Sequence, residues 1–398
     1  MSIVLLTVTI GALALSTLVA AIGAYLLLLT IAACCARRTT APRQGPPTSR
    51  FVIMVPAHNE EKLLPHLLAS CQALDYPRAL FQVHVVADNC SDGTAAVARA
   101  AGASVHERCN TEQRGKGYAL QWLLERLWAS GEPHDAVVIV DADSDLSPNF
   151  LRVMDARLVR GERVIQGYYA VRDPEHAASA AIRAVALIVL HYVRPLGRMV
   201  LGGSAGLKGN GMVFAAELLR AHRWTASLTE DIEYHMALIL AGERAMFAPD
   251  AVVKAEMPGS LRAAQTQNER WERGRIEMIR RFVPQLLCSA LRQRRFLLFD
   301  AAVEQLIPPF AVLSALTLLA LALALLAAHQ LALGLGLFAL TAQIVYVATG
   351  LILVRAPGTV YRALLFTPLF LVWKIWLYIR ILLGLKPARW IRTARNEE

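Results

Sequence analysis

The cysteines of this chain are few, and they are not spaced in pairs along the sequence. Only six occur among 398 residues, with no Cys-x-x-Cys pair and no His/Cys cluster at zinc-ligand spacing. This excludes a disulfide framework and a zinc finger, and it favours a reduced, cytosolic domain. No internal repeat is visible either.

Charge is scarce for a soluble protein. Charged residues make up 18% of the chain and hydrophobic residues 56%, and the mean hydropathy is +0.42. These values predict a mixed architecture, with one part in a membrane and one part outside it. The net charge is +10, but there is no RNP-like stretch, and the basic residues cluster beside apolar segments. A membrane surface is therefore the expected partner, and nucleic acid is not.

The first segment is predicted to be a membrane anchor. Residues 3–35 are almost uninterruptedly apolar and lack the basic start and short core of a signal peptide. Residues 1–36 are therefore interpreted as an anchor that is retained. Arginines follow at once, so the positive-inside rule places the N-terminus outside and the next domain in the cytosol. Residues 37–49, rich in Pro, Thr and Gly, are interpreted as a linker.

The C-terminal third contains further membrane segments. Two apolar runs, 306–328 and 331–354, are separated by two residues and predict a helical hairpin within 301–355. The last part, 356–398, contains a third run with internal Pro, Lys and Arg and ends in a basic tail. Both an interfacial helix and a further span remain open for it. The expected location is the plasma membrane, with several spans and a cytosolic catalytic domain.

Residues 50–260 alternate between strand and helix patterns. The predicted strands and helices are strands 51–55, 82–87 and 136–140, with helices 60–73, 91–101 and 115–129. Such alternation predicts a largely parallel sheet covered on both faces by helices.

The strand ends of this domain carry polar residues. Asp141 and Asp143 follow the apolar strand at 136–140; if the chain stays extended, they share one face and can reach one diphosphate and its metal. In open α/β sheets, ligands bind outside the carboxyl ends of the strands. The alternative is a surface loop that caps the next helix.

Six motifs occur in a fixed order along the chain. They are Pro56-x-x-Asn59-Glu60, Asp88-x-x-Ser91-Asp92-Gly93-Thr94, Gly115-Lys116-Gly117, Asp141-x-Asp143, Thr229-Glu230-Asp231 and Gln267-x-x-Arg270-Trp271. In this order they resemble family-2 glycosyltransferases, in particular the membrane-embedded members such as cellulose, chitin and hyaluronan synthases. The resemblance covers about 50–290. It implies an α/β GT-A-type nucleotide-sugar-binding domain plus transmembrane α-helices.

The resemblance implies a donor site for a UDP-sugar. The residues expected to bind the donor are Pro56, Ala57, Glu60, Asp88, Lys116, Asp141 and Asp143. Asp141 would face the nucleoside, and Asp143 would hold Mg²⁺ or Mn²⁺, which prefer hard oxygen ligands. Asp88 would hold the uracil or ribose. The structural alternatives are an Asx turn at Asp88 and a helix N-terminus at Asp92, and for Asp92 the second is favoured.

Asp231 is the expected general base. A carboxylate at the start of a helix is stabilised in its ionised form, which is the form that accepts a proton from the acceptor. Glu230 is placed beside it as a catalytic residue. The alternative is that Thr229, Glu230 and Asp231 only cap the helix.

A basic amphipathic region is predicted over 261–300. Gln267, Arg270 and Trp271 lie at i, i+3 and i+4, so they share one helix face, where an arginine suits a diphosphate and an indole suits a sugar ring. Binding of anionic lipid head groups by the arginines, with Trp271 in the interfacial belt, is the alternative.

Three function classes follow from this sequence. The favoured one is an inverting hexosyltransferase that uses a UDP-sugar to extend a β-linked polysaccharide or oligosaccharide. The transferred sugar is expected to be N-acetylglucosamine or glucose. Because few C-terminal helices are present to form a channel, this enzyme would need a homo-oligomer or an export subunit. The second class is a non-processive enzyme that glycosylates a membrane lipid of ceramide, diacylglycerol, hopanoid or polyprenyl type. The third, a transporter or a non-catalytic nucleotide-sugar binder, is weakest because a binder needs no base.

Overall fold

The structure is a computed structural model that describes residues 3–36, 45–224, 229–257 and 265–383, without the side chains of residues 266, 267, 270, 381 and 382. Most of the predicted linker (37–49) and the basic tail therefore lie outside the described residues. So do the side chains of Gln267 and Arg270.

One eight-stranded sheet forms the centre of the domain. Its strands are β1 (Phe51–Ala57), β2 (Phe81–Asp88), β3 (Ser104–Arg108), β4 (Ala136–Ile139), β5 (Ser144–Leu146), β6 (Val164–Val171), β7 (Met212–Ala215) and β8 (Ala245–Ala255). Their order is β3-β2-β1-β4-β7-β6-β8-β5. The first four strands are parallel, whereas β7 runs antiparallel to both β4 and β6. The predicted parallel sheet is thus confirmed for its first half, and the second half is mixed.

The helices divide between the sheet and the apolar segments. They are α1 (Ile3–Cys35), α2 (Leu64–Gln72), α3 (Thr94–Ala100), α4 (Lys116–Ser130), α5 (Phe150–Leu158), α6 (Ala178–Ile188), α7 (Arg194–Val200), α8 (Ala216–Ala221), α9 (Glu230–Ala241), α10 (Gln265–Gln293), α11 (Phe296–Leu306), α12 (Phe310–Leu326), α13 (Gln330–Leu353), α14 (Gly358–Ala363) and α15 (Thr367–Leu382). A π turn, Val189–Val193, joins α6 to α7, so the helix passes Pro195 and continues to Val200.

Both faces of the sheet are buried. Alternate residues of β1 point to opposite faces: Ile53 and Val55 belong to the core beneath α2 and α5, and Val52 and Met54 belong to the core beneath α4. The second core continues without a break into α1, α12 and α13. The apolar helices and the sheet are therefore one packed body.

Among the described residues, four helical segments are long and apolar enough to cross a membrane. They are Ile3–Cys35, Ala178–Val200, Gln330–Leu353 and Gly358–Arg380, and a fifth candidate combines α11 and α12 across a 70° bend. The predicted anchor and hairpin are present as helices, with α12 starting at Phe310 rather than at residue 306. Most of Ala178–Val200 is buried within the protein, in keeping with a role in packing against the sheet.

Three predicted boundaries are wrong. The helix expected from residue 60 begins at Leu64, after a turn in which Leu64 N–H donates to Glu60 O. The helix expected from residue 91 begins at Thr94. Strand β4 ends at Ile139, and the chain turns at Ala142 and Asp143 before β5. A turn, and not a shared strand face, therefore places Asp141 relative to Asp143.

Candidate active site

The loops after β1 and β2 are tied together at one edge of the sheet. Ser91 N–H donates to Asn59 Oδ1 (2.8 Å), and Asn110 N–H donates to Asn89 Oδ1 (2.8 Å). Asn59 and Asn89 both have left-handed backbones, with φ of 55° and 52°, a conformation that Asn tolerates better than most residues. The predicted convergence of these strand ends is present.

Asp88 lies at the end of β2 in an ion pair. Arg108 Nη1 donates to Asp88 Oδ1 at 2.5 Å, and both residues are buried. The Asp88 backbone carbonyl contacts His58 Nδ1 at 2.7 Å. Pro56, Ala57, Glu60 and Asp88 line one cavity, as expected for a donor site. The assignment of Asp88 to a base or ribose stays a prediction.

Asp92 performs a structural task. Its Oδ1 accepts from Thr94 N–H (3.0 Å) and Thr94 Oγ1 (2.6 Å), and its Oδ2 accepts from Glu61 N–H (3.2 Å). These bonds satisfy backbone donors at the start of α3 and join it to the loop after β1. The helix-terminus interpretation of Asp92 agrees with these contacts.

Lys116 connects the carboxylate motif to a glycine-rich loop. Its Nζ donates to Asp141 Oδ1 at 2.5 Å and to the carbonyl oxygen of Gly209. Gly115, at φ 122°, places Lys116 on the first turn of α4, and such a backbone angle favours glycine. Burial alone would lower the pKa of Lys116, but the carboxylates of Asp141, Glu230 and Asp231 together outweigh burial and raise it. Lys116 is therefore a charged neighbour of Asp141.

Glu230 and Asp231 open α9 in the same cavity. A Cβ placed on Gly209 would lie 3.3 Å from Asp231 Oδ2 and 3.8 Å from Lys116 Nζ. Asp231 and Lys116 therefore lie on either side of this glycine. Burial raises the pKa of Asp231, and the Lys116 ammonium opposes this. Burial also raises the pKa of Glu230 to about 7. A buried carboxylate with a raised pKa is a stronger base near neutral pH.

The side chain of Thr229 takes no part in capping α9, whereas the Asp231 carboxylate accepts from the backbone at the helix start, so the capping alternative stays open. Thr229, the N-cap residue of α9, makes no side-chain capping hydrogen bond, and its Oγ1 is buried without a partner among the described residues. Helix α10 packs directly against it, because a Cβ placed on Gly274 would lie 2.3 Å from Thr229 Cγ2. The helix start is thus held by packing against α10.

Helix α10 brings Trp271 to the cavity. The Trp271 side chain lines the cavity, and the residue is 39% exposed. Two neighbouring residues of α10, Asn268 and Glu272, contact α15. Lys374 Nζ donates to Asn268 Oδ1 (2.8 Å) and pairs with Glu272 Oε1 (3.2 Å). The run at 363–385, left undecided from the sequence, therefore supports the helix that carries the Gln-x-x-Arg-Trp motif.

Sequence reasoning missed a buried charge network in the wall of the same cavity. Arg198 pairs with Asp300 at 2.6 Å, and Arg194 pairs with Glu304 at 3.2 Å. The arginines are four residues apart on one apolar helix and the acids four apart on another, so each pair faces its partner. This matched spacing of charges within apolar stretches was a signal available in the sequence.

These groups share a cavity of about 1170 Å³. Its lining includes Pro56 and Asp88 at the strand ends and the apolar side chains of Phe310 on α12 and of Phe370 and Leu371 on α15. The cavity thus joins the strand ends of the sheet to the apolar helices.

The residues present fit a divalent cation that is shared with a ligand. Asp143 is 8% exposed and lines the cavity beside Asp141. Among the described residues, no group of three His, Cys, Asp or Glu side chains can hold a metal by itself. Mg²⁺ and Mn²⁺ suit such a site, since one or two carboxylates suffice when phosphate and water complete the coordination.

Comparison with known proteins agrees with this architecture. The mannosyltransferase PcManGT from Pyrobaculum calidifontis, solved in complex with GDP-Man and Mn²⁺, superposes with a TM-score of 0.53 at 21% identity, covering 86% of this chain and 98% of that chain. This likeness confirms the predicted α/β GT-A-type fold.

Curated sequence relatives match part of the chain. The 4,4'-diaponeurosporenoate glycosyltransferase of Staphylococcus haemolyticus is 30% identical over 37% of this chain and 39% of its own length. The beta-monoglucosyldiacylglycerol synthase of Synechocystis sp. is 27% identical over 57% of this chain and 48% of its own length. The chain thus spans less than half the length of these curated relatives. The family described as "Glycosyltransferase like family 2" matches residues 46–274, more than half of the chain, and the chain belongs to this family.

Proposed function

We propose that the protein transfers a hexose from a UDP-sugar to a hydroxyl group of a membrane lipid. The observation that carries this choice of acceptor is the cavity, whose lining combines Asp88 and Asp231 with apolar side chains of α12 and α15. A lipid whose tail lies among these helices would present its head group to the base.

The packing of the apolar helices argues against the polysaccharide acceptor favoured by the sequence. Helix α1 packs on α12 and α13 through Ala12, Ala324 and Ala332, all at most 1% exposed. Gly23 meets α13 so closely that a Cβ there would lie 3.2 Å from Ala339 Cα. Within the described part of the chain, these contacts pack the three helices closely together, so a channel for a polymer would have to be formed elsewhere. The names of the relatives include both a diacylglycerol and a glucomannan product, so they do not separate the two acceptors.

In the proposed reaction, Asp231 accepts the proton of the acceptor hydroxyl. The hydroxyl oxygen bonds to the anomeric carbon, the bond from that carbon to the diphosphate breaks, and UDP leaves with the electron pair. One base and no covalent intermediate give inversion at the anomeric carbon. Lys116 and Asp141 orient the donor, and Asp143 holds the cation. A bound Mg²⁺ or Mn²⁺ supplies charge neutralisation at the diphosphate.

Product analysis tests the proposal. Membranes containing the protein are incubated with radiolabelled UDP-glucose, UDP-N-acetylglucosamine or GDP-mannose and Mn²⁺ or Mg²⁺, with Asp231→Asn membranes as the baseline. We expect base-dependent label in the organic phase as one lipid species. Label in a high-molecular-weight, hydrolase-sensitive aqueous fraction would contradict the lipid acceptor and return the polysaccharide interpretation.

The pH dependence of transfer follows from the buried carboxylates. Because only the ionised form of Asp231 accepts a proton and burial raises its pKa, we expect the rate at saturating donor to fall as the pH drops through that pKa. Since the Lys116 ammonium lowers the pKa of Asp231, Lys116→Met is expected to move the acid limb to higher pH. The control is Lys254→Met, which removes an exposed lysine on β8. An acid limb that is the same in both variants would contradict this coupling.

A further inference from the structure

Lys208 occupies a rigid position between α7 and β7. Its backbone N–H donates to Gln166 Oε1 (2.9 Å), and Gln166 Nε2 donates to the Asn210 carbonyl oxygen (2.8 Å). Gln166 is fully buried, so these bonds fix the loop on both sides of Gly209. Lys208 lines the cavity beside Asp231, whose Oδ2 would lie 3.3 Å from a Cβ on Gly209.

The ammonium of Lys208 lies beside the buried arginines. A Cβ placed on Gly206 would lie 3.4 Å from Lys208 Nζ and 3.9 Å from Arg198 Nη1, so both cations lie against this glycine. Arg198 is paired with Asp300 (2.6 Å) and Glu304 (3.8 Å), and Arg194 is paired with Glu304 (3.2 Å). The carboxylates of Asp300 and Glu304 are thus taken up by the two arginines.

Lys208 itself has no acidic partner at contact distance in the described ranges, and the carboxylates of Glu304 and Asp231 act on its charge from farther away. No carboxylate there lies within 4 Å of its Nζ, and no described side chain or carbonyl accepts a hydrogen bond from it. An ammonium in a cavity wall that donates no hydrogen bond costs free energy, so its position indicates that a ligand accepts a hydrogen bond from it. The nearest reacting group is Asp231, on the acceptor side of the proposed reaction.

We propose that Lys208 binds the phosphodiester of an acidic lipid acceptor, next to the hydroxyl that Asp231 deprotonates. A phosphodiester oxygen would accept the hydrogen bond that the Lys208 ammonium donates to no described residue. The lipid then has a fixed head group at Lys208 and its tail towards the apolar side chains of α12 and α15. This inference rests on the proposed function, because it takes Asp231 to face the acceptor.

Protection of Lys208 from acylation tests the site without any turnover. The full-length protein in phosphatidylcholine vesicles is treated with an amine-acylating reagent at pH 8. At this pH Lys208 is reactive, because burial lowers its pKa to about 8. Mass spectrometry then reads Lys208 and, as an internal control, the exposed Lys254. We expect phosphatidylglycerol in the vesicles to lower the acylation of Lys208 several-fold and to leave Lys254 unchanged.

Two further arms identify the source of the phosphate. UDP with Mn²⁺ is expected to leave the acylation of Lys208 unchanged; equal protection by UDP would assign the residue to the donor site and overturn the proposal. Inorganic phosphate at the same concentration as the lipid is expected to protect less, and equal protection by it would overturn the lipid assignment. Absence of protection by phosphatidylglycerol would overturn it as well.

Kinetics then separate this inference from the proposed function. With phosphatidylglycerol as acceptor, Lys208→Met is expected to raise the KM about tenfold to a hundredfold, as for loss of one charge-assisted hydrogen bond. The KM for diacylglycerol and that for the donor should stay unchanged, and Lys208→Arg should restore the preference for the acidic lipid. Equal KM values for the acidic lipid in Lys208→Met and wild type would overturn the proposal. Absence of label in either lipid would instead contradict the lipid acceptor of the proposed function, and the acylation experiment would still decide the role of Lys208.

Discussion

Replacement of Asp231 by asparagine is expected to lower the rate of sugar transfer by about 10²–10⁴-fold, the range that a general base contributes. Asparagine has nearly the same size and can occupy the same place at the start of α9, but it cannot accept the proton of the acceptor hydroxyl. The measurement is single-turnover transfer with radiolabelled donor at saturating concentration, so that donor binding does not limit the rate.

Donor binding by this variant should be nearly unchanged. The structure places Asp231 across Gly209 from Lys116, and the expected donor groups Asp88, Asp141 and Asp143 lie on the strand ends. Calorimetric titration with UDP measures this directly. The matched control is Asp250→Asn, which changes an exposed aspartate on β8 and should retain wild-type transfer. If Asp231→Asn loses UDP binding while its thermal unfolding matches wild type, then Asp231 belongs to the donor site.

Replacement of Asp143 by alanine is expected to abolish metal-dependent binding of the donor. The described residues contain no cluster of three ligands that holds a cation alone, so the cation should bind only when the diphosphate completes its coordination. Loss of the one carboxylate assigned to the metal should lower Mn²⁺ affinity in the presence of UDP by more than about tenfold, because loss of even an outer-shell partner of a metal site costs about 10–100-fold.

Asp145, two residues after Asp143, provides the control for the Asp143→Ala prediction. Asp145 is on β5, and its carboxylate pairs with Arg172 at 2.7 Å. Asp145→Asn should bind UDP with the same dependence on Mn²⁺ as wild type. The readout is a pair of Mn²⁺ titrations, with and without UDP. Metal titrations of Asp143→Ala that match wild type would remove Asp143 from the metal site.

The sequence predicted the α/β sheet and its helices well, because both depend on local patterns. The apolar runs of β1 and β4 are properties of short segments, and each forms a buried strand in the fold. Boundaries at residues 60, 91 and 140 were wrong because turns decide them. In the loops after β1 and β2, Asn59 and Asn89 adopt left-handed backbones, which a hydrophobic pattern does not reveal.

Part of the site could also be predicted, because its motifs are local patterns in the sequence. Asp88, Lys116, Asp141, Asp143 and Asp231 could be selected because their motifs are contiguous in sequence, and the structure gathers all five into one cavity. Their individual roles stay predictions. The network of Arg194, Arg198, Asp300 and Glu304 joins residues more than 100 positions apart, so only the packing of two helices could show that the four side chains meet.

The sequence by itself thus determined the fold class, the apolar helices and the order of the motifs, since these follow from periodicity, hydrophobicity and short-range spacing. The tertiary structure decided how the cavity connects the strand ends to α12 and α15 and where Lys208 lies. Both depend on close approaches between distant segments, such as Gly206 against Arg198 and Gly274 against Thr229. Contacts of this kind are set by the packing of whole helices, which no local pattern encodes.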